Sequence, residues 1–79
     1  MADRLVLYTR AGCHLCDVAK EALARVAAAT GETWHEVDID SDRELLEEYN
    51  DRIPVVMLDG REHGYWQVEE ARLLRDLAG

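Results

Sequence analysis

Basic residues are scarce in this 79-residue sequence. Lys and Arg total 9 against 17 Asp and Glu, for a formal net charge of −8. Phosphate binding needs clustered Lys and Arg, and so does docking on an anionic membrane surface, so neither nucleic acid nor membrane is expected as a partner. Long apolar runs are missing too. No stretch free of Asp, Glu, Lys and Arg exceeds 6 residues, as in Ala11–Cys16 and Ile53–Leu58, whereas a bilayer-crossing helix needs ~20. Met1-Ala2-Asp3-Arg4 leads straight into an apolar segment with no h-region or cleavage site. A cytoplasmic location is the resulting expectation. Cysteine is rare as well: 2 residues cannot build the multi-bridge framework of a small secreted domain. Repeats, low-complexity tracts and Pro/Gly/Ser-rich linkers are absent, and a single domain over residues 1–79 is expected.

What is present suffices for a thin core. The chain is 48% hydrophobic and 33% charged, which excludes a disordered composition. Leu5-Val6-Leu7-Tyr8 is a continuous apolar run suited to a strand buried on both faces. After a short loop, Leu15, Val18, Ala19, Ala22, Leu23, Val26 and Ala27 form one helical stripe. Gly31 is its stop signal. Thr33–Ile39 alternates as a strand with a wetter face. Ser41 and Glu44 have the spacing of a capping box, which predicts a second helix burying Leu45, Leu46 and Tyr49. Val55–Leu58 reads as a third apolar strand. Asp59-Gly60 favours the positive φ angles of a hairpin turn, so Arg61–Gly64 reads as a polar edge strand. A last helix over about Gln67 to Ala78 is expected to bury Val68, Ala71, Leu74 and Leu77.

The element order is β-α-β-α-β-β-α. Its βαβ start requires a parallel pair with a right-handed crossover, and its hairpin requires an antiparallel pair. The fold class is therefore α/β, a four-stranded mixed sheet flanked by three helices. That arrangement is thioredoxin-like in its smallest form.

Cys13-His14-Leu15-Cys16 falls between the first strand and the first helix. Cysteines at i and i+3 of a helical turn have Cα atoms ~5–5.5 Å apart, within disulfide reach. Cys13 stands at the helix N-terminus, where unpaired N–H groups and the dipole favour a thiolate. Cys16 lies about a turn inward, shielded and protonated. Cys13 thus reads as the nucleophile and Cys16 as the resolving thiol. Two other readings stay open: half of a metal or cluster site, and an inert buried pair. No second C-x-x-C exists, and His14, His35 and His63 lack zinc-ligand spacing, so no metal ligand is assigned.

The run Tyr8-Thr9-Arg10-Ala11-Gly12-Cys13-His14-Leu15-Cys16 resembles the active-site segment of glutaredoxins, with a basic residue three positions before the first cysteine. Ile53-Pro54 is similar to the family's Val-Pro, and Val55–Gly64 to its terminal hairpin. The resemblance implies a glutaredoxin-type fold and a dithiol–disulfide oxidoreductase, an enzyme or electron carrier that reduces protein or small-molecule disulfides. Glutathione, or a reductase, would supply the electrons, and no cofactor would be resident. The chain departs from the family at two places. His14-Leu15 stands where Pro-Tyr is usual. Gly64-Tyr65-Trp66-Gln67 stands where two glycines and an acidic residue hold the γ-glutamyl end of glutathione, leaving Gly64 as the retained member. Reduction by another system, or a site specialised for a protein partner, would follow from that change.

Arg10 reads as a cation favouring the Cys13 thiolate or a substrate carboxylate, or else as a solvated loop residue. An imidazolium at His14 would favour the thiolate while the helix dipole opposes that imidazolium; a plain spacer is the other reading. Pro54 is locally a strand-start proline. The resemblance makes its bond cis, exposing the Ile53 backbone opposite Cys13 to an extended substrate. Tyr65 and Trp66 would form a groove wall, a core cap or a dimer contact. Glu44, Glu47, Glu48 and Asp51 read as a solvated helix face. The resemblance also admits a dimer bridging an iron–sulfur cluster through Cys13 with glutathione, and a redox-sensing binding module.

Overall fold

The computed structural model describes residues 4–78; the leader-free reading of Met1–Asp3 lies outside them. Strand β1 (Leu5–Thr9) occupies a central position, with a paired strand along each of its edges. Helix α1 (His14–Thr30) returns the chain to β2 (Trp34–Asp38), which pairs parallel with β1 in the register Leu7↔Glu36. A short 3-10 turn (Ile39–Ser41) and helix α2 (Arg43–Tyr49) follow. Strands β3 (Val55–Leu58) and β4 (Arg61–Tyr65) and helix α3 (Glu70–Ala78) complete the chain. β3 runs antiparallel to both β1 and β4, giving the order β2-β1-β3-β4. The sheet is mixed and four-stranded, as its element order requires.

One face of the sheet carries the main core. Leu5, Leu7 and Val56 pack there with Ala19, Leu23 and Val26 of α1 and with Leu73 and Leu77 of α3. On the other face Tyr8 meets Tyr49 of α2, with ring centroids 4.9 Å apart. Asp59 and Gly60 both have positive φ, 53° and 81°, as a two-residue hairpin turn demands. The β3–β4 ladder shifts between Val56↔Gly64 and Met57↔Glu62, leaving His63 as the extra residue of a β-bulge. No helix among the described residues is long and apolar enough to cross a membrane.

Four local expectations are corrected. Leu15 and Val18 are exposed at 49% and 47%, and Cys16 takes the buried place at that end of α1. The buried stripe runs Cys16, Ala19, Leu23, Val26, and Leu15 and Val18 each sit about 100° off it. Asp42, not Ser41, caps α2: its side chain accepts from the N–H groups of Glu44 and Leu45. Ser41 belongs to the preceding turn and its hydroxyl donates to the Asp38 carbonyl. Strand β2 stops at Asp38, and Ile39 opens that turn. Finally, α3 begins at Glu70 and buries Leu73 with Leu77, while Ala71 and Leu74 face out. Leu73 and Leu77 enter the core shared with α1, and an ion pair from Arg25 to Glu70, 2.9 Å, joins the start of α3 to α1.

Candidate active site

β1 ends at buried Thr9 and hands the chain to a tight loop. Gly12 adopts φ 78°, a left-handed conformation that suits glycine. The loop delivers Cys13 in extended conformation to the N-cap of α1, a place usually taken by an oxygen-bearing side chain. Here Cys13 Sγ is the acceptor, taking the backbone N–H of Cys16 at 3.2 Å. The sulfur thus sits at the helix end, on the side of its free N–H groups.

Both cysteines are free thiols; Cys13 is half-buried and Cys16 is 1% exposed. Burial pushes the Cys16 thiol up to about 12, and the hydrogen bond and charge of Cys13 add to the rise. The Arg10 backbone N–H and the Lys20 ammonium work against it. One sulfur is therefore accessible at a helix end, and the other is held as a buried, protonated thiol.

An open cleft of about 330 Å³ lies over Cys13, lined by Arg10, Ala11, Gly12, Asn50 and Ile53. The Ile53–Pro54 bond is cis, and Pro54 is buried. The Trp66 N–H donates to the Pro54 carbonyl at 2.8 Å, extending the β3–β4 pairing one step beyond Tyr65. The cleft thus brings Arg10, Cys13 and Ile53 together, with Pro54 adjoining.

The Arg10 guanidinium is not a loose cation over the sulfur. Its Nε lies 3.1 Å from Asp40 Oδ1 and its Nη1 donates to Asn50 Oδ1 at 2.7 Å. The charge is spent on joining the loop to the end of α2. His14 is exposed at the first position of α1 and does not line the cleft. Gly64 and Tyr65 line a separate hollow of about 360 Å³ with Glu62, His63, Trp66, Glu69 and Arg72. A Cβ on Gly64 would meet Arg72 and Gln67 at 3.7 Å, ordinary contact, so sterics do not demand glycine there.

Trp66 carries the left-handed conformation instead, at φ 68°. Its indole N–H reaches the Asp51 carbonyl at 3.2 Å, and its ring meets Tyr65 edge-on with centroids 5.0 Å apart. This aromatic pair lines the hollow and does not line the cleft over Cys13. Sequence reasoning missed Asn50 and Asp40, whose signal was only their place at the end of α2 and in the turn after β2. It also missed Thr9, Lys20 and Glu36. Thr9 donates to Glu36 Oε2 at 2.6 Å, and Lys20 Nζ lies 3.1 Å from the same oxygen.

Residues 4–78 match the family model of the Glutaredoxin-like domain (DUF836). The chain belongs to this glutaredoxin-like family. A protein of Mycobacterium tuberculosis (strain H37Rv), itself uncharacterised, is 44% identical, over 91% of this chain and 79% of its own. The X-ray structure of a protein from X. campestris is 41% identical, covers 94% of this chain and 95% of its own, and superposes with a TM-score of 0.76. The holo form of glutaredoxin C1 from Populus tremula x tremuloides is 19% identical, with a TM-score of 0.55 over 95% of this chain and 86% of that one. That last likeness concerns the fold alone. A glutaredoxin-like thioredoxin fold carrying a C-x-x-C pair is thus what this chain has, with the pair at the strand–helix junction.

Proposed function

We propose that this glutaredoxin-like chain is a dithiol–disulfide oxidoreductase that carries electrons to disulfide substrates. The observation that carries the reading is Cys13 Sγ at the α1 N-cap, accepting the Cys16 N–H beside an open cleft. The Cys13 thiolate attacks one sulfur of a substrate disulfide, expels the other half as a thiol and leaves a mixed disulfide. Cys16 then attacks Cys13 Sγ, the second half departs as a thiolate that takes up a proton, and the Cys13–Cys16 bond remains. An external reductant, glutathione or a reductase, returns the pair to dithiol. The cis-Pro54 segment and Ile53 flank the cleft as backbone for an extended substrate, and Arg10 shapes its floor through Asp40 and Asn50. A reducing cytoplasm is the compartment in which such a carrier works.

Replacing each cysteine in turn tests this. Cys16→Ser should accumulate a mixed disulfide with substrate, visible as an added mass that dithiothreitol removes. Cys13→Ser should show neither the adduct nor disulfide reduction. Full reductase activity in Cys13→Ser would sink the mechanism. Offering the oxidised protein separately to glutathione with its reductase and to thioredoxin reductase identifies the electron source by which one reduces it.

A further inference from the structure

The resolving step asks something of Cys16 that its surroundings oppose. Its sulfur must shed a proton and carry negative charge while buried. Part of the opposition comes from Cys13, through a hydrogen bond and, as a thiolate, through charge. That part disappears once Cys13 is tied in a mixed disulfide. Two groups then favour charge on Cys16: the Arg10 backbone N–H and the Lys20 ammonium.

Lys20 is built into place by three elements. It follows Cys16 by one helical turn of α1, so the two side chains rise from one helix face with Cβ atoms about 5–6 Å apart. Its Nζ lies 3.1 Å from Glu36 Oε2 on β2 and 3.8 Å from Asp17 Oδ1 on α1. Glu36 in turn accepts the hydroxyl of Thr9, which is 2% exposed and precedes the Arg10 amide that reaches Cys16. The register Leu7↔Glu36 puts Glu36 on the α1 side of the sheet, where Thr9 also lies. Arg10, the other cation of this end, turns its guanidinium to Asp40 and Asn50 on other segments, whereas Lys20, although paired with Glu36 and Asp17, rises from the same helix face as Cys16. The charged and titratable groups around Cys16 are then Cys13, Asp17 and Lys20 from α1, Arg10 from the loop after β1, and Glu36 from β2.

We propose that Lys20, held by Glu36 and Thr9, is a positioning residue for the resolving step, its ammonium offsetting the negative charge that develops on Cys16 Sγ. The inference rests on the thiol–disulfide reading above. In the step, the Cys16 proton passes to solvent and its thiolate attacks Cys13 Sγ. The Sγ–Sγ bond forms as the bond from Cys13 to the substrate sulfur breaks. The electron pair leaves on that sulfur, so the two cysteines are oxidised and the substrate is reduced. Glu36 is an anchor rather than a proton acceptor. Its bonds from Thr9 and Lys20 hold its carboxyl below the ordinary range, and it stays ionised.

An aromatic disulfide with a coloured thiol product separates the two chemical steps. Attack by Cys13 releases one equivalent of colour, and resolution by Cys16 releases the second. Lys20→Met and Lys20→Gln should leave the first phase unchanged and slow the second about three- to tenfold, the effect of ~0.5–1 pKa unit on thiolate population. Lys20→Arg should restore it. A second arm needs no turnover. In Cys13→Ser, the pH titration of the Cys16 Cβ carbon shift by NMR, which needs no reagent access to the buried sulfur, should move to higher pH when Lys20→Met is added and return with Lys20→Arg. Equal second phases, together with superimposable titration curves, would overturn the role of Lys20. Loss of the second phase in the unmutated chain would instead overturn the thiol–disulfide reading, and the titration arm would still decide the question of Lys20.

Discussion

At the scale of single residues, the two thiols differ because their surroundings differ. Cys13 is a helix cap open to a cleft, and Cys16 is one turn inward and buried. Burial holds the Cys16 thiol well above the ordinary cysteine range, so it stays protonated near neutral pH. Iodoacetamide under native conditions should therefore add a single label, on Cys13, and a second only after urea opens the fold. Mass spectrometry of the two labelled states checks this. Two native labels would mean that Cys16 is not shielded as described. The C-x-x-C spacing at a strand–helix junction made the order of the two sulfurs legible, Cys13 at the helix end and Cys16 one turn on; that Cys16 fills a core position was not legible, because the apolar stripe reads as well through Leu15 and Val18. The Lys20–Glu36–Thr9 chain was not legible: it joins residues from a helix and two strands, and only the parallel register brings them together.

At the scale of elements, α2 is short and owes its start to one side chain. Asp42 accepts from both Glu44 and Leu45, at 2.9 and 3.4 Å. Asp42→Ala should cost about 1 kcal/mol in urea unfolding, the ordinary worth of an N-cap. Ser41→Ala, which removes only the bond to Asp38, should cost less. Equal losses would return the cap to Ser41. Because α2 presents Tyr49 to Tyr8 and its end presents Asn50 to Arg10, Asp42→Ala should also loosen the cleft wall.

The elements themselves were readable from periodicity and turn residues, and Asp59-Gly60 placed the hairpin to the residue. The phase of α3 was not readable. Val68, Ala71, Leu74 and Leu77 make as regular a stripe as Leu73 with Leu77. The choice depends on where α1 meets α3, which the Arg25–Glu70 pair reports. For α1, a cysteine stood in the stripe where an apolar residue was sought. Arg10 was found by its position, but its engagement with Asp40 and Asn50 joins segments far apart in sequence.

For the whole molecule, excess acidity and local ion pairing act in opposite directions on lowering the pH. Three carboxyls are held below their ordinary values: Glu36 by the Thr9 hydroxyl and Lys20, Asp59 by Arg4, and Glu70 by Arg25. A depressed folded pKa adds stability that is present above the ordinary value and lost as pH falls through the folded one. The ordinary values are 4.5 for Glu36 and Glu70 and 3.8 for Asp59. Protonation of the other carboxyls eases the repulsion of a chain at −8. Thermal unfolding followed by circular dichroism should thus show a Tm that is level or slightly rising from pH ~7 to ~5 and falls below pH ~4. A Tm still rising below pH ~4 would show that these pairs hold nothing.

The bulge at His63 bears on how copies of this chain meet one another. β4 is an edge strand, and a flat edge offers free N–H and C=O groups to any passing strand. Here the ladder breaks between Met57↔Glu62 and Val56↔Gly64, and the imidazole of the extra residue turns toward α3, where its Nε2 lies 2.8 Å from Asp76 Oδ2. A second copy aligned on this edge would find its register broken midway and the charged side chains of Arg61 and Glu62 standing in its path. The opposite edge, β2, carries Glu36 and Asp38. Both borders of the sheet thus carry features, a broken ladder on one side and acidic residues on the other, that discourage edge-to-edge growth.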